Sequence, residues 1–181
     1  MSYFDTVPPQ KWILKGIIGL FVLAVGFHFI YDLTGQNMVA GIFSPVNEST
    51  WEHLKLLFFP VLIFSAIEYI WIRKESKNFI AARVTGTVLG MFTIIAVFYT
   101  YTGILGNHYL WLDLVTFFIG ALVTFLYTNY GMKRYREKTS TTIMAIVVFI
   151  LFFAAFVIFT YYPPHIGLFR DPISTKFGII D

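Results

Sequence analysis

Four histidines, His28, His53, His108 and His165, are the side chains best suited to chemistry in this chain. There is no cysteine, so any metal must sit on imidazole or carboxylate, the remaining zinc-type ligands. His28 and Asp32 are spaced i, i+4, which puts them on one face of a helix, as a metal or proton site would require. The densest stretch is residues 43–55, where Ser49/His53 and Glu48/Glu52 are i, i+4 pairs and Lys55 follows Glu52 by three. Two turns of helix would there carry a hydroxyl, an imidazole, two carboxylates and an ammonium. Two readings of it stay open. In one, Ser49-x-x-Glu52 is a capping box and Glu52/Lys55 a solvated pair. In the other, His53, which capping leaves unexplained, is a ligand and its neighbours assist it.

Elsewhere His108 opens an apolar run with Asp113 five residues on. Five residues turn a helix by about 500°, so the two are not a local pair unless the helix begins after His108. His165 lies in a tail stiffened by Pro163, Pro164 and Pro172 that still carries Ile166, Leu168 and Phe169, which suits a lid folded back on the protein. Glu68 sits inside an apolar run, where snorkelling toward Arg73 or Lys74 is expected.

The elements that must position these groups are legible from composition. Of 181 residues, 57% are apolar and 13% charged, and the mean hydropathy is +0.73. Soluble domains average about 25% charged residues, so a cytosolic enzyme, a disordered tail and a solvated solenoid are excluded. Five stretches approach the roughly 20 apolar residues that cross a bilayer, at 12–31, 54–71, 84–105, 109–132 and 143–162. The expected fold is all-α, a polytopic bundle of five transmembrane helices forming a single transmembrane domain over residues 1–181. The first stretch reads as a retained signal-anchor, because it continues unbroken long enough to span.

Sorting the thirteen Lys and Arg residues between alternate faces sets the orientation. Lys11, Lys15, Arg73, Lys74, Lys77, Arg83, Lys133, Arg134, Arg136 and Lys138 fall on one side; Lys55, Arg170 and Lys176 fall on the other. The N-terminus is expected in the cytoplasm and the C-terminus outside, with Trp12, Trp71 and Tyr135 at the inner interface and Tyr31, Trp51, Trp111, Tyr161 and Tyr162 at the outer one. All four histidines and most of the acids then belong to the outer face, in segments 32–53, 106–108 and 163–181 or at the helix ends beside them. Pro60 should kink the second span by leaving the Leu56 carbonyl without a partner. Gly86-x-x-x-Gly90 is a close-approach motif through which a homodimer is expected. No P-loop, GxSxG, HExxH, EF-hand or dinucleotide fingerprint occurs, so no nucleic-acid or nucleotide partner is expected.

Asn47-Glu48-Ser49-x-Trp51-Glu52-His53-x-Lys55, with the tail Pro163-Pro164-His165-Ile166-x-Leu168-Phe169-x-Asp171-Pro172, resembles the signature of a family of small uncharacterised bacterial and archaeal membrane proteins, a domain of unknown function. That resemblance implies an architecture and no activity. Ser49-x-x-x-His53, Asp113 and His165 are also similar in order to the pattern of alkaline ceramidases and adiponectin/progestin receptors. That likeness is an analogy implying zinc and hydrolysis within the membrane, although those proteins have seven spans and a His-x-x-x-His where this chain has Phe169.

The function expected from these observations is a zinc-type hydrolase of the cell membrane acting on a lipid or other amphiphile at the extracytoplasmic face. His53 and His165, with His28 or His108, would ligate the metal; Glu52 or Asp113 would be the general base; Ser49 would support the site or an oxyanion. The alternatives are a small-molecule or ion transporter or binding subunit with a protonatable entrance at His28, Asp32 and Glu52, and a structural or regulatory membrane protein without a site.

Overall fold

Apolar runs bounded by polar caps become helices here because a helix satisfies its backbone within the segment. The computed structural model describes residues 10–72, 78–134 and 138–179. Its helices are α1 (Gln10–Leu33), α2 (Met38–Phe43), α3 (Thr50–Ile72), α4 (Phe79–Leu105), α5 (Leu110–Arg134) and α6 (Thr139–Tyr161), followed by a 3-10 turn at Gly167–Phe169. Among the described residues there is no strand, only an isolated bridge between Arg170 and Phe177. Five of the helices are long and apolar enough to cross a membrane. Arg73, Lys74, Lys77, Tyr135 and Arg136 lie outside the described residues, as do the side chains of Lys11, Trp12 and Trp71.

The helix ends follow from local chemistry. Gly35 (φ +67°) closes α1 in a left-handed turn, with Gln36 N–H donating to the Tyr31 carbonyl at 2.9 Å and Gly35 N–H to Asp32 at 3.0 Å. This is the Schellman arrangement. Asn37 then caps α2, its Oδ1 accepting from Val39 and Ala40. Ser49 caps α3, its Oγ accepting from Glu52 N–H at 3.4 Å. α3 therefore starts at Thr50, before its apolar run, because the polar turn that caps it is itself helical.

α3 is the central helix. It packs against α1, α4, α5 and α6, and it supplies Trp51, Leu54, Leu57, Phe58, Phe59 and Val61 to the core. Phe58 stacks on Phe149 with centroids 4.5 Å apart, and Trp51 lies 4.8 Å from Phe156 and 5.0 Å from Phe169, so the tail closes over the start of α3. Pro60 lies inside this helix and is buried.

α4 and α5 form an antiparallel hairpin at close range. Gly86 and Gly90 face α5 of the same chain: a Cβ on Gly86 would lie 2.6 Å from the Thr124 carbonyl oxygen, and one on Gly90 would lie 2.6 Å from that of Gly120. The close approach expected between two copies is thus made within one chain, because Gly120 and the small Thr124 and Thr128 complete the seam. Gly90→Ala should cost about 1–3 kcal/mol, since the obstacle is backbone that cannot rotate away. Gly103→Ala, on the same helix with nothing within 4 Å of the added carbon, should be neutral or stabilising. Unfolding of the two variants in detergent, side by side, checks the contrast.

Candidate metal centre

At one end of the bundle α1 finishes, α3 begins, and the loop between α2 and α3 crosses between them. Ser44, in that loop, is fully buried, and its Oγ donates to the Phe27 carbonyl at 2.6 Å while accepting from Tyr31 N–H at 3.1 Å. Those two backbone groups are the i and i+4 partners that an uninterrupted helix would join directly. A loop side chain is therefore spliced into the ladder of α1 around His28, and it fixes that turn against the loop.

Three side chains converge there. One ligand atom from each of His28, Glu48 and His53 lies within 4.8 Å of the other two. His53 Nε2 is 3.4 Å from Glu48 Oε2, and the two imidazoles meet edge to face with centroids 5.3 Å apart. His53 Nδ1 lies 3.1 Å from the Ser49 carbonyl oxygen. A carbonyl only accepts, so Nδ1 is the donor in that contact, and in the neutral tautomer Nε2 turns its lone pair to the carboxylate. Two acceptors then face each other across 3.4 Å, a gap that a proton on Nε2 or a bound cation closes. The side chains of His53 and Glu48 are 32% and 44% exposed, so an ion and a further ligand have access.

Of the residues given ligand or catalytic roles from sequence, His28 and His53 join this group; Glu48, noted there only as an i, i+4 partner of Glu52, completes it. His108 is instead paired with Asp113, Nδ1 to Oδ2 at 3.2 Å, and Tyr101 donates to the other oxygen of Asp113. The expectation that His108 and Asp113 are not a local pair is thus corrected: the helix begins at Leu110, after His108, and the loop swings the imidazole back onto the first turn. His165 lies on the Phe177 ring, centroids 4.7 Å apart, within the folded tail. Asp32 is exposed and outside the group.

Glu52 and Ser49 are structural in this geometry. Glu52 is not part of a solvated pair: it is 2% exposed and Lys55 is 0% exposed. Lys55 Nζ lies 2.5 Å from Glu52 Oε2 and donates to the carbonyls of Gly41 at 2.7 Å and Ser44 at 3.4 Å. Glu52 Oε2 also accepts from Val46 N–H at 3.0 Å, and Oε1 from Thr160 Oγ1 at 3.1 Å. Buried and tied to Lys55 and the Val46 backbone, this carboxylate holds the loop against α3. Only half of the expected capping box forms, because Ser49 N–H is taken by Asn47 Oδ1 at 2.8 Å and not by Glu52. Asn47 also donates Nδ2 to the Gly178 carbonyl at 2.7 Å, so the tail braces the residue next to Glu48.

The snorkelling partners expected for Glu68, Arg73 and Lys74, lie outside the described residues; within them, Glu68 is held at the far end of α3. It pairs with Arg83 of α4, which is 5% exposed and has its guanidinium over the rings of Phe79 and Phe125, 5.1 Å and 4.6 Å from their centroids.

The model of a family of unknown function, DUF6512, matches residues 1–179. The chain belongs to that family. It matches no curated protein and no solved structure. Membership of DUF6512 brings no assigned activity, so the functional reading rests on the site itself.

Proposed function

We propose that this protein is an integral membrane protein that binds a zinc-type ion through His28, Glu48 and His53 and uses it for hydrolysis of a lipid or other amphiphile at the extracytoplasmic face. The observation that carries the reading is the facing of His53 Nε2, its tautomer set by the Ser49 carbonyl, and the Glu48 carboxylate at 3.4 Å, with a second imidazole alongside. Zinc bonds of about 2.0–2.2 Å put tetrahedral ligand atoms about 3.3–3.6 Å apart, the separation of this pair. A backbone carbonyl behind a ligating histidine is the usual support that orients the ring and raises its basicity. Two imidazoles and one carboxylate leave a fourth position open, the pattern of catalytic rather than structural zinc. When bound, such an ion supplies Lewis acidity and water activation. The chain's own part is to hold the three ligands on two helices and a braced loop, beside apolar α1 residues such as Val25 and Phe29 that remain exposed.

The charge count supports the outward orientation. Arg83 and Lys55 are buried and paired, so setting each aside leaves nine cations on the face assigned to the cytoplasm and two on the other.

Calorimetry on the purified protein with zinc, and absorption spectra with cobalt, test the site. One ion per chain is expected, with affinity reduced at least about 10-fold in His53→Ala and Glu48→Gln and unchanged in His108→Ala and His165→Ala. Substoichiometric metal that ignores His53→Ala would overturn the reading. Chelator-sensitive cleavage of ester or amide amphiphiles in mixed micelles tests the chemistry; binding without cleavage would leave a metal-binding membrane protein and remove the hydrolase.

A further inference from the structure

A second feature at the same end of the bundle is independent of the metal centre. The tail folds into a short hairpin: Arg170 bridges Phe177, Asp171 N–H donates to the Lys176 carbonyl at 3.0 Å, and Thr175 N–H donates to the Asp171 carbonyl at 2.9 Å. Between this hairpin, the start of α3 and α4 lies a cavity of about 260 Å³. Its lining combines the rings of Phe98 and Tyr99 of α4 and Pro172 with the polar side chains of Arg170, Thr50 and Thr175.

Charge decides what fits. Arg170 is exposed and has no carboxylate partner among the described residues; its Nε donates to the Thr175 carbonyl at 3.3 Å, which orients the guanidinium. The one acid lining the cavity, Asp171, is 4% exposed, and its oxygens accept from Ile173 N–H, Ser174 N–H and Ser174 Oγ. That carboxylate is consumed by its own turn, so the cavity offers a cation and hydroxyls but no uncommitted carboxylate as counter-charge for a headgroup ammonium. Guanidinium is the side chain best matched to phosphate oxygens.

Position decides the source of the phosphate. Tyr99 is six residues before the end of α4 at Leu105, about 9 Å along the axis, and its ring is exposed on the side of an apolar helix. Aromatic rings at that depth mark the membrane–water interface. A volume of about 260 Å³ suits a headgroup with its chains lying along α4 outside the cavity; it is small for a whole lipid.

We propose that this cavity binds the phosphate-bearing headgroup of an anionic phospholipid, with Arg170 as the phosphate contact and Tyr99 and Phe98 supporting the glycerol and upper chain. The test uses the full chain in detergent, supplied with dioleoylphosphatidylglycerol, dioleoylphosphatidylcholine or sodium phosphate. Lipid retained after detergent exchange is read by mass spectrometry and the melting temperature is measured in parallel. Phosphatidylglycerol should be retained and raise the melting temperature of the native chain. Arg170→Gln should lose about 10-fold in that affinity, Arg170→Lys should fall between, and Lys176→Gln, an exposed tail cation that does not line the cavity, should behave as the native chain. Arg170 is at the surface, so these variants are expected to fold, and an unchanged melting temperature without lipid confirms it. Equal retention of the two lipids, or of phosphatidylglycerol by Arg170→Gln, would overturn the proposal. So would full protection by inorganic phosphate alone, which would make the occupant a soluble anion.

Discussion

Lys55→Met is expected to destabilise the folded chain by about 3–5 kcal/mol, the cost of leaving one member of a buried ion pair without its partner. Lys55 is 0% exposed and is the centre of a star: Glu52 from its own helix, the Gly41 carbonyl from α2 and the Ser44 carbonyl from the loop all converge on Nζ. Removing the ammonium strands the Glu52 carboxylate in an apolar surround and takes a donor from two carbonyls. The double variant Glu52→Gln with Lys55→Met removes the stranded charge but leaves the Gly41 and Ser44 carbonyls without Nζ, so it should recover only part of the loss. Reversible unfolding in detergent, by denaturant or by a steric trap, measures both. A single variant within about 1 kcal/mol of the native chain would show that the pair is effectively solvated, as the i, i+3 spacing alone suggests. Because Ser44, Val46 and Asn47 lie in the segment this star holds, the single variant should also loosen Glu48 and weaken metal binding even where the protein stays folded.

The five long apolar helices were legible because a sustained run of about 20 apolar residues satisfies its backbone most readily as a helix. Their starts were less so: α3 begins four residues before its apolar run, since Thr50, Trp51, Glu52 and His53 are the first turn and sit in the core or the site. α2 was not legible, having six residues, no full amphipathic period, and a cap, Asn37, that reads as an ordinary loop residue.

The candidate centre was half legible. His28 and His53 stand out by type and by place. Glu48 was paired with Glu52 and not with His53 because helical spacing was applied through a residue that is not yet helical: it precedes the cap of α3, so its i, i+5 relation to His53 is a loop-to-first-turn contact. His108 and Asp113 share that spacing and that geometry, each pair joining a residue two before the helix to the fourth residue in it. Acid–imidazole pairs at i, i+5 across a helix start are therefore a usable signal, one that a fixed 100° per residue misses. Burial was the other hidden quantity. Glu52/Lys55 reads the same in sequence whether it is wet or dry, and Arg83 counts as one more basic residue in a cytoplasmic connection until the fold turns it inward.

Glu68→Gln should also cost about 3–5 kcal/mol, because it leaves the Arg83 guanidinium buried without a counter-charge. Here the double variant should behave differently. Arg83 Nε and Nη1 have no acceptor among the described residues, and the rings of Phe79 and Phe125 that the guanidinium lies over compensate only part of that, a contribution of about 0.5–2 kcal/mol. Glu68→Leu with Arg83→Met replaces two desolvated charges and two unsatisfied donors with apolar volume in an already aromatic surround, so it should match or exceed the native stability, by up to about 1–4 kcal/mol. The two buried pairs thus separate by one physical criterion. The Lys55 star consumes backbone groups that nothing else can satisfy, whereas the Glu68–Arg83 pair chiefly satisfies itself. A double variant at Glu68 and Arg83 as unstable as Glu68→Gln alone would show that the pair also serves groups around it, and would place it with the Lys55 star as a structural node at the opposite end of α3.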